Sequence, residues 1–129
     1  LLRANILLSG ADVKKASAER LTVGQVPLST FQVVVASDLL YDPTAPERVT
    51  ELFHTTRAAL GPSGGPLYLG YQHRRPALTS LLLAEAESAG IFVQELQAGE
   101  VYGSSELTDS RRPSLFRRFS VFRFDIPAW

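Results

Sequence analysis

The 129-residue sequence contains no cysteine. This absence excludes a disulfide-stabilised scaffold, a thiolate metal site and a cysteine nucleophile. Histidine is scarce as well, because only His54 and His73 are present. Their separation is too long for spacing to suggest a pair of metal ligands. We therefore expect no metal site.

The sequence also lacks a long hydrophobic run and an excess of charge. No apolar stretch approaches the roughly 20 residues that cross a bilayer, and no signal-like segment opens the chain. Thirteen basic residues balance 13 acidic ones, so the formal net charge is 0. Arginines do alternate with aromatic residues near the end of the chain, but a terminal strand explains that pattern more simply than a nucleic-acid platform. We expect neither nucleic acid nor a membrane as a partner.

Methionine is absent from the whole sequence. The chain opens on Leu1–Leu8, whose apolar residues already fall at helical spacing. It therefore looks as if it starts inside a helix. We interpret residues 1–129 as a single partial domain of a longer protein.

The rest of the sequence alternates between strand and helix patterns. Residues 31–36 form the clearest strand, and the unbroken apolar run over residues 33–36 predicts that this strand is covered on both faces. A helix follows, with Thr44 and Glu47 spaced as a capping box and Gly61-Pro62 as its end. The remaining elements are a strand from Pro66, a helix from Pro76 to Gly90, a strand over 91–96 and a strand over 115–126.

This alternation predicts an α/β fold. Strands that alternate with helices form right-handed crossovers and a mainly parallel sheet. The last two strands have no helix between them, so we expect them to pair antiparallel across a long loop.

Polar side chains follow two of these strands, at the edge where α/β sheets bind their ligands. The first cluster is Ser37, Asp38 and Tyr41, and the second is Gln72, His73 and Arg74. If the two strands are parallel neighbours, both clusters face one crevice. From spacing alone, the simpler interpretation of Asp38 is a turn or helix-cap residue. The simpler interpretation of His73 is a solvent-exposed side chain rather than a general base. The polar stretch 99–114 is either a mobile loop or a lid over substrate.

Three segments of the chain together resemble a known family. Phe31–Tyr41, in which Asp38 and Tyr41 form an Asp-x-x-Tyr motif after a hydrophobic strand, is similar to the fourth strand and following motif of class I, seven-β-strand S-adenosylmethionine-dependent methyltransferases. The likeness is strongest to the protein-lysine methyltransferases that modify chaperones and elongation factors. Leu1–Leu8, with Asn5, resembles that family's helix after the third strand, and residues 67–74 resemble its fifth strand and exit.

The resemblance implies a Rossmann-like methyltransferase fold, of which this chain is the C-terminal half. It also implies S-adenosylmethionine as cofactor and a protein lysine as methyl acceptor. Asp38 and Tyr41 would be the catalytic residues that line the lysine channel. Ala36 and Ser37 would border the methionine end of the cofactor. The full-length enzyme is expected to be a cytoplasmic monomer, with the nucleus as the alternative location.

One departure from the family pattern limits these expectations. The glycine-rich cofactor loop after the first strand and the acidic residue after the second are absent from the 129 residues. These elements form most of a cofactor site in such sheets, so the 129 residues alone are expected to be inactive. Two alternatives stay open: a non-catalytic methyltransferase-like interaction module, and a class I methyltransferase with another acceptor.

Overall fold

Strands and helices alternate through the described part of the chain. The structure, a computed structural model, describes residues 27, 29–40, 46–73, 76–96 and 119–129. The predictions for residues 1–8, Tyr41, Arg74 and the 99–114 stretch lie outside these ranges. The elements are β1 (Val34–Ser37), α1 (Glu47–Leu60), β2 (Gly65–Gln72), α2 (Pro76–Ser88), β3 (Phe92–Leu96) and β4 (Phe119–Ile126).

The four described strands form one sheet in the order β1-β2-β4-β3. β1 pairs with β2 in parallel, with Val34 beside Leu67 and Ser37 beside Gly70. β4 runs antiparallel to both of its neighbours, β2 and β3. The architecture is therefore mixed α/β, and the predicted antiparallel pairing of the last two strands is confirmed.

The prediction of a mainly parallel sheet is wrong, because only one of the three described pairings is parallel. The cause is the position of β4. No helix separates it from β3 in the sequence pattern, so it returns in the opposite direction. It then inserts between β2 and β3, which turns one expected antiparallel pairing into two.

Both helices pack on one face of the sheet, which we call the core face. The buried cluster joins residues of α1 and α2 to alternate residues of β2 and β4. Phe53 of α1 stacks edge-on against Phe124 of β4, with ring centroids 5.3 Å apart. On the core face of the sheet, the buried cluster includes Leu67, Leu69, Phe122, Phe124 and Ile126. The helix residues that pack on them include Val49, Leu52, Phe53, Leu60, Leu78, Leu82 and Ala86.

The C-terminal end of helix α1 is the one that the local sequence predicts, and the N-terminal end is not. Gly61 ends the helix as predicted, with φ of 68° and its N–H donating to the carbonyl of Arg57. The start is different, because the N-cap position is Pro46 and no side chain caps the helix there. The predicted capping box with Thr44 as N-cap is therefore wrong. Helix α1 begins at Glu47, three residues after Thr44.

The opposite face of the sheet, which we call the open face, carries exposed apolar side chains. Val35 is 77% exposed and Phe92 is 66% exposed. The prediction that the first strand is covered on both faces is therefore wrong for the described residues. Successive right-handed crossovers in one direction place their helices on the same side of a sheet. Helices α1 and α2 thus both cover the core face.

Candidate functional site

The carboxyl end of β1 lies directly beside β2. Ser37 is in register with Gly70, and the N–H of Asp38 donates to the Gly70 carbonyl at 3.2 Å. The condition for a shared crevice, two neighbouring parallel strands, is therefore met. Asp38 follows β1, and His73 follows β2, at the same edge of the sheet.

Asp38 has an unusual backbone conformation. Its φ is +53°, and it is the non-glycine residue with positive φ among those described. This left-handed region costs most L-residues free energy, although aspartate tolerates it better than most. The turn leaves Asp38 and Leu39 exposed and places Leu40 in the core. Strained residues cluster at functional sites, so this conformation is a reason to examine Asp38 for a functional role.

The other predicted site residues are arranged less simply. Ala36 is half-buried and packs against the core cluster, whereas Ser37 is exposed and in register with Gly70 on the open face. Consecutive residues of a strand point to opposite faces. A ligand on one face of this edge can therefore contact the side chain of either Ala36 or Ser37. It can reach only the main chain of the other residue. Tyr41 lies outside the described residues.

His73 belongs to a chain of hydrogen bonds that the sequence does not suggest. Its Nε2 lies 2.7 Å from Oγ of Ser120, and the Ser120 hydroxyl donates in turn to a carboxylate oxygen of Glu95. The imidazole also packs edge-on against Tyr71, with centroids 5.1 Å apart, and against Phe122 at 5.9 Å. His73 is thus held at the edge by contacts with β2 and β4, is linked through Ser120 to β3, and is only half-exposed.

The bonding pattern fixes where the proton of neutral His73 lies. A serine hydroxyl has one hydrogen, and an ionised glutamate can only accept. Because Ser120 donates to Glu95, Nε2 of His73 must be the donor to Ser120. The lone pair of the neutral ring then falls on Nδ1, which has no hydrogen-bond partner among the described residues. In this order of donors, Nε2 of His73 does not accept the proton of the Ser120 hydroxyl.

Sequence reasoning missed Ser120 and Glu95 because they are 47 and 22 positions from His73 and carry no motif. Their approach depends on β4 lying between β2 and β3, with Tyr71 opposite Ser120 and Glu95 opposite Phe122. No spacing rule could have predicted that order.

The described residues hold no group of three or more histidine, aspartate or glutamate side chains arranged to bind a metal ion. Neither α1 nor α2 is long and apolar enough to cross a membrane.

A scan against models of protein families found no match, and a search of curated proteins found no related sequence.

Proposed function

We propose that this chain forms the acceptor side of an S-adenosylmethionine-dependent protein-lysine N-methyltransferase with a Rossmann-like fold. The observation that carries the proposal is the placement of Asp38. It follows a parallel strand, lies at the carboxyl edge beside the next strand, and has a strained backbone within an Asp-x-x-Tyr sequence. The parallel β1–β2 pair and the antiparallel β3–β4 pair are also compatible with strands four to seven of that fold.

The described residues would contact one end of the cofactor and do not by themselves form a whole cofactor site. Ser37 offers an exposed hydroxyl and Ala36 its main chain where the methionine end would lie. Gly70 has no side chain, which leaves space beside Ser37 of the neighbouring strand. A Cβ at position 70 would lie 3.3 Å from the Ser37 Cβ. The cofactor, when bound, supplies a methyl group on a positively charged sulfur. Because the glycine-rich loop is absent from these residues, we propose the activity for a longer protein that contains them.

The role of Asp38 is to hold the acceptor amine. A carboxylate that accepts a hydrogen bond from the lysine nitrogen directs its lone pair toward the methyl group, and such positioning supplies much of the acceleration in transfer reactions. Tyr41 would add an aromatic wall. Methyl transfer from the cofactor to the lysine nitrogen would require that nitrogen to lose a proton. The lone pair on Nδ1 of His73 is a base at the same edge of the sheet, although aqueous solvent can also take this proton.

The test is methyl transfer from radiolabelled S-adenosylmethionine to cell-extract proteins by the full-length protein. Asp38→Asn keeps the size of the side chain and tolerates positive φ, but it loses the negative charge. We expect about a hundredfold less lysine methylation, because misplacing a reacting group typically lowers the rate by about that factor. Asp125→Asn, on the open face, is the matched control and should leave the rate unchanged. Full activity of the Asp38 variant would refute the site assignment.

A second function is favoured by the open face. Exposed Val33, Val35 and Phe92 are typical of a surface that another protein covers, as in a non-catalytic interaction module. The full-length protein would then neither bind S-adenosylmethionine nor transfer methyl groups. Calorimetric titration with the cofactor distinguishes the two functions.

A further inference from the structure

A groove lies at the amino edge of the sheet, on the opposite side from Asp38. Its volume is about 470 Å³, within the range of small-molecule sites. It is lined by the segment before β1, the C-terminal turn of α1 and the segment after β4, including Thr30, Arg57 and Trp129. These segments meet because β4 is antiparallel to β2, so that Ile126 lies beside Gly65 at the start of β2.

Main-chain hydrogen bonds hold the walls of the groove. Phe31 N–H donates to the Ala59 carbonyl at 2.7 Å and joins the segment before β1 to α1. Trp129 N–H donates to the Pro62 carbonyl at 3.1 Å and joins the segment after β4 to the end of α1. Position 61 admits only glycine, since a Cβ there would lie 2.8 Å from Cγ2 of Thr30. These contacts fix the three segments that line the groove to one another.

The chemistry of the lining is apolar with positive charge. The guanidinium of Arg57 is half-exposed and has no carboxylate partner among the described residues, unlike Arg48 and Arg123, which pair with Glu51 and Asp125. His54 adds an exposed imidazole, and none of the described residues that line the groove is acidic. An anion is therefore the charge type that the groove complements.

Trp129 adds a flat aromatic surface to the same groove. Its side chain is 68% exposed and lines the groove, so the face of the indole is accessible to a ligand. The position of Arg57 in the last turn of α1 can also be explained by its favourable interaction with the helix dipole. The dipole does not, however, account for the open groove and the exposed indole beside Arg57. The two features together indicate a ligand that combines a ring with an acid.

We infer that this groove is a second binding site, for a small molecule that carries a carboxylate or similar anionic group on a planar aromatic ring. The ring lies against Trp129 and the apolar side of the groove, and the anion pairs with Arg57. This site is separate from the carboxyl edge, so it stands independently of the proposed methyl transfer.

The test uses 2-naphthoate as the probe and 2-naphthalenemethanol as its neutral analogue. Trp129 is the single tryptophan of residues 1–129, and comparison with Trp129→Ala identifies its indole N–H resonance in a ¹⁵N-correlated NMR spectrum. Naphthoate should shift that resonance saturably with a Kd below about 1 mM. The neutral analogue should bind at least tenfold more weakly, since it cannot pair with Arg57.

Substitutions assign the binding to the groove. Arg57→Gln should weaken naphthoate binding about tenfold, whereas Arg57→Lys should weaken it less. Arg48→Gln, on the same helix but outside the groove, is the matched control and should bind normally. In Trp129→Ala, saturation transfer to the naphthoate signals should disappear, and this exposed position makes loss of folding an unconvincing explanation.

Three results would overturn the inference. The first is an indole resonance that does not respond to either compound, as expected if another part of the chain fills the groove. The second is equal binding of the acid and the alcohol. The third is an equal loss of affinity in Arg57→Gln and Arg48→Gln.

Discussion

The two faces of the sheet differ although they are built from the same strands. On the core face, Leu67 and Phe124 face each other and are completely buried beneath the helices. On the open face, the next residues along the same strands, Tyr68 and Arg123, are partly exposed. Strand propensity is the same on both faces. Val35 and Phe92 are apolar strand residues as well, yet they are exposed because neither described helix covers the open face. The positions of the helices therefore help to decide which apolar side chains of a strand contribute to stability.

The largest expected contrast is between two phenylalanines of adjacent strands. Phe124→Ala removes a fully buried ring that contacts Phe53 and Phe122, and should lower the free energy of unfolding by about 3–5 kcal/mol. Phe92→Ala, on the open face of β3, should cost less than about 1 kcal/mol because most of that ring is already in water. Urea denaturation measures both. Similar losses would mean that the open face is covered in solution.

A closer contrast uses two neighbouring valines of β1. Val34 packs against the core cluster, whereas Val35 is on the open face. Replacing Val34 with threonine places a hydroxyl beside apolar side chains and should cost about 1–2 kcal/mol. The same replacement at Val35 should change stability by less than about 0.5 kcal/mol, because threonine is an equally good strand residue in water. Thermal unfolding of the two single variants is sufficient, and a larger cost at Val35 would contradict the assignment of faces.

The smallest contrast is between polar contacts. Ser120→Ala, at the carboxyl edge of the core face, leaves His73 and Glu95 without their shared partner and should cost about 1 kcal/mol. On the open face, the hydrogen bond and charge of Asp125 raise the pKa of Arg123, and the pair lies at 2.9 Å. Arg123→Gln should nevertheless lower the free energy of unfolding much less than Ser120→Ala does, because exposed ion pairs contribute little.

The Ser120 variant also has a spectroscopic readout. Loss of its hydroxyl removes the acceptor that keeps the neutral His73 proton on Nε2. We expect ¹⁵N imidazole shifts to report a mixture of tautomers in Ser120→Ala and a single Nε2–H form in the parent protein. Identical shifts would contradict the proposed order of donors.

Much of the fold could be predicted from local patterns. The buried stripe of α1, its end at Gly61 and the strand–helix alternation follow from apolar spacing and from glycine chemistry, which act within a few residues. Part of the candidate site could be predicted in the same way. Asp38 was identified as the acidic residue after a strand, and its approach to β2 follows from parallel pairing. Its positive φ was not predicted, since aspartate adopts this conformation in only a minority of turns.

The sequence by itself determined the order of the described strands and helices and the apolar stripe of α1, because apolar periodicity is a local property. Only the tertiary structure decided the sheet order, and with it the mixed pairing, the open face, and the approach of His73, Ser120 and Glu95. It also brought Arg57 and Trp129 to one groove across 72 positions of sequence. The physical reason is that strand order and helix placement are set by contacts between distant segments, which no local pattern encodes.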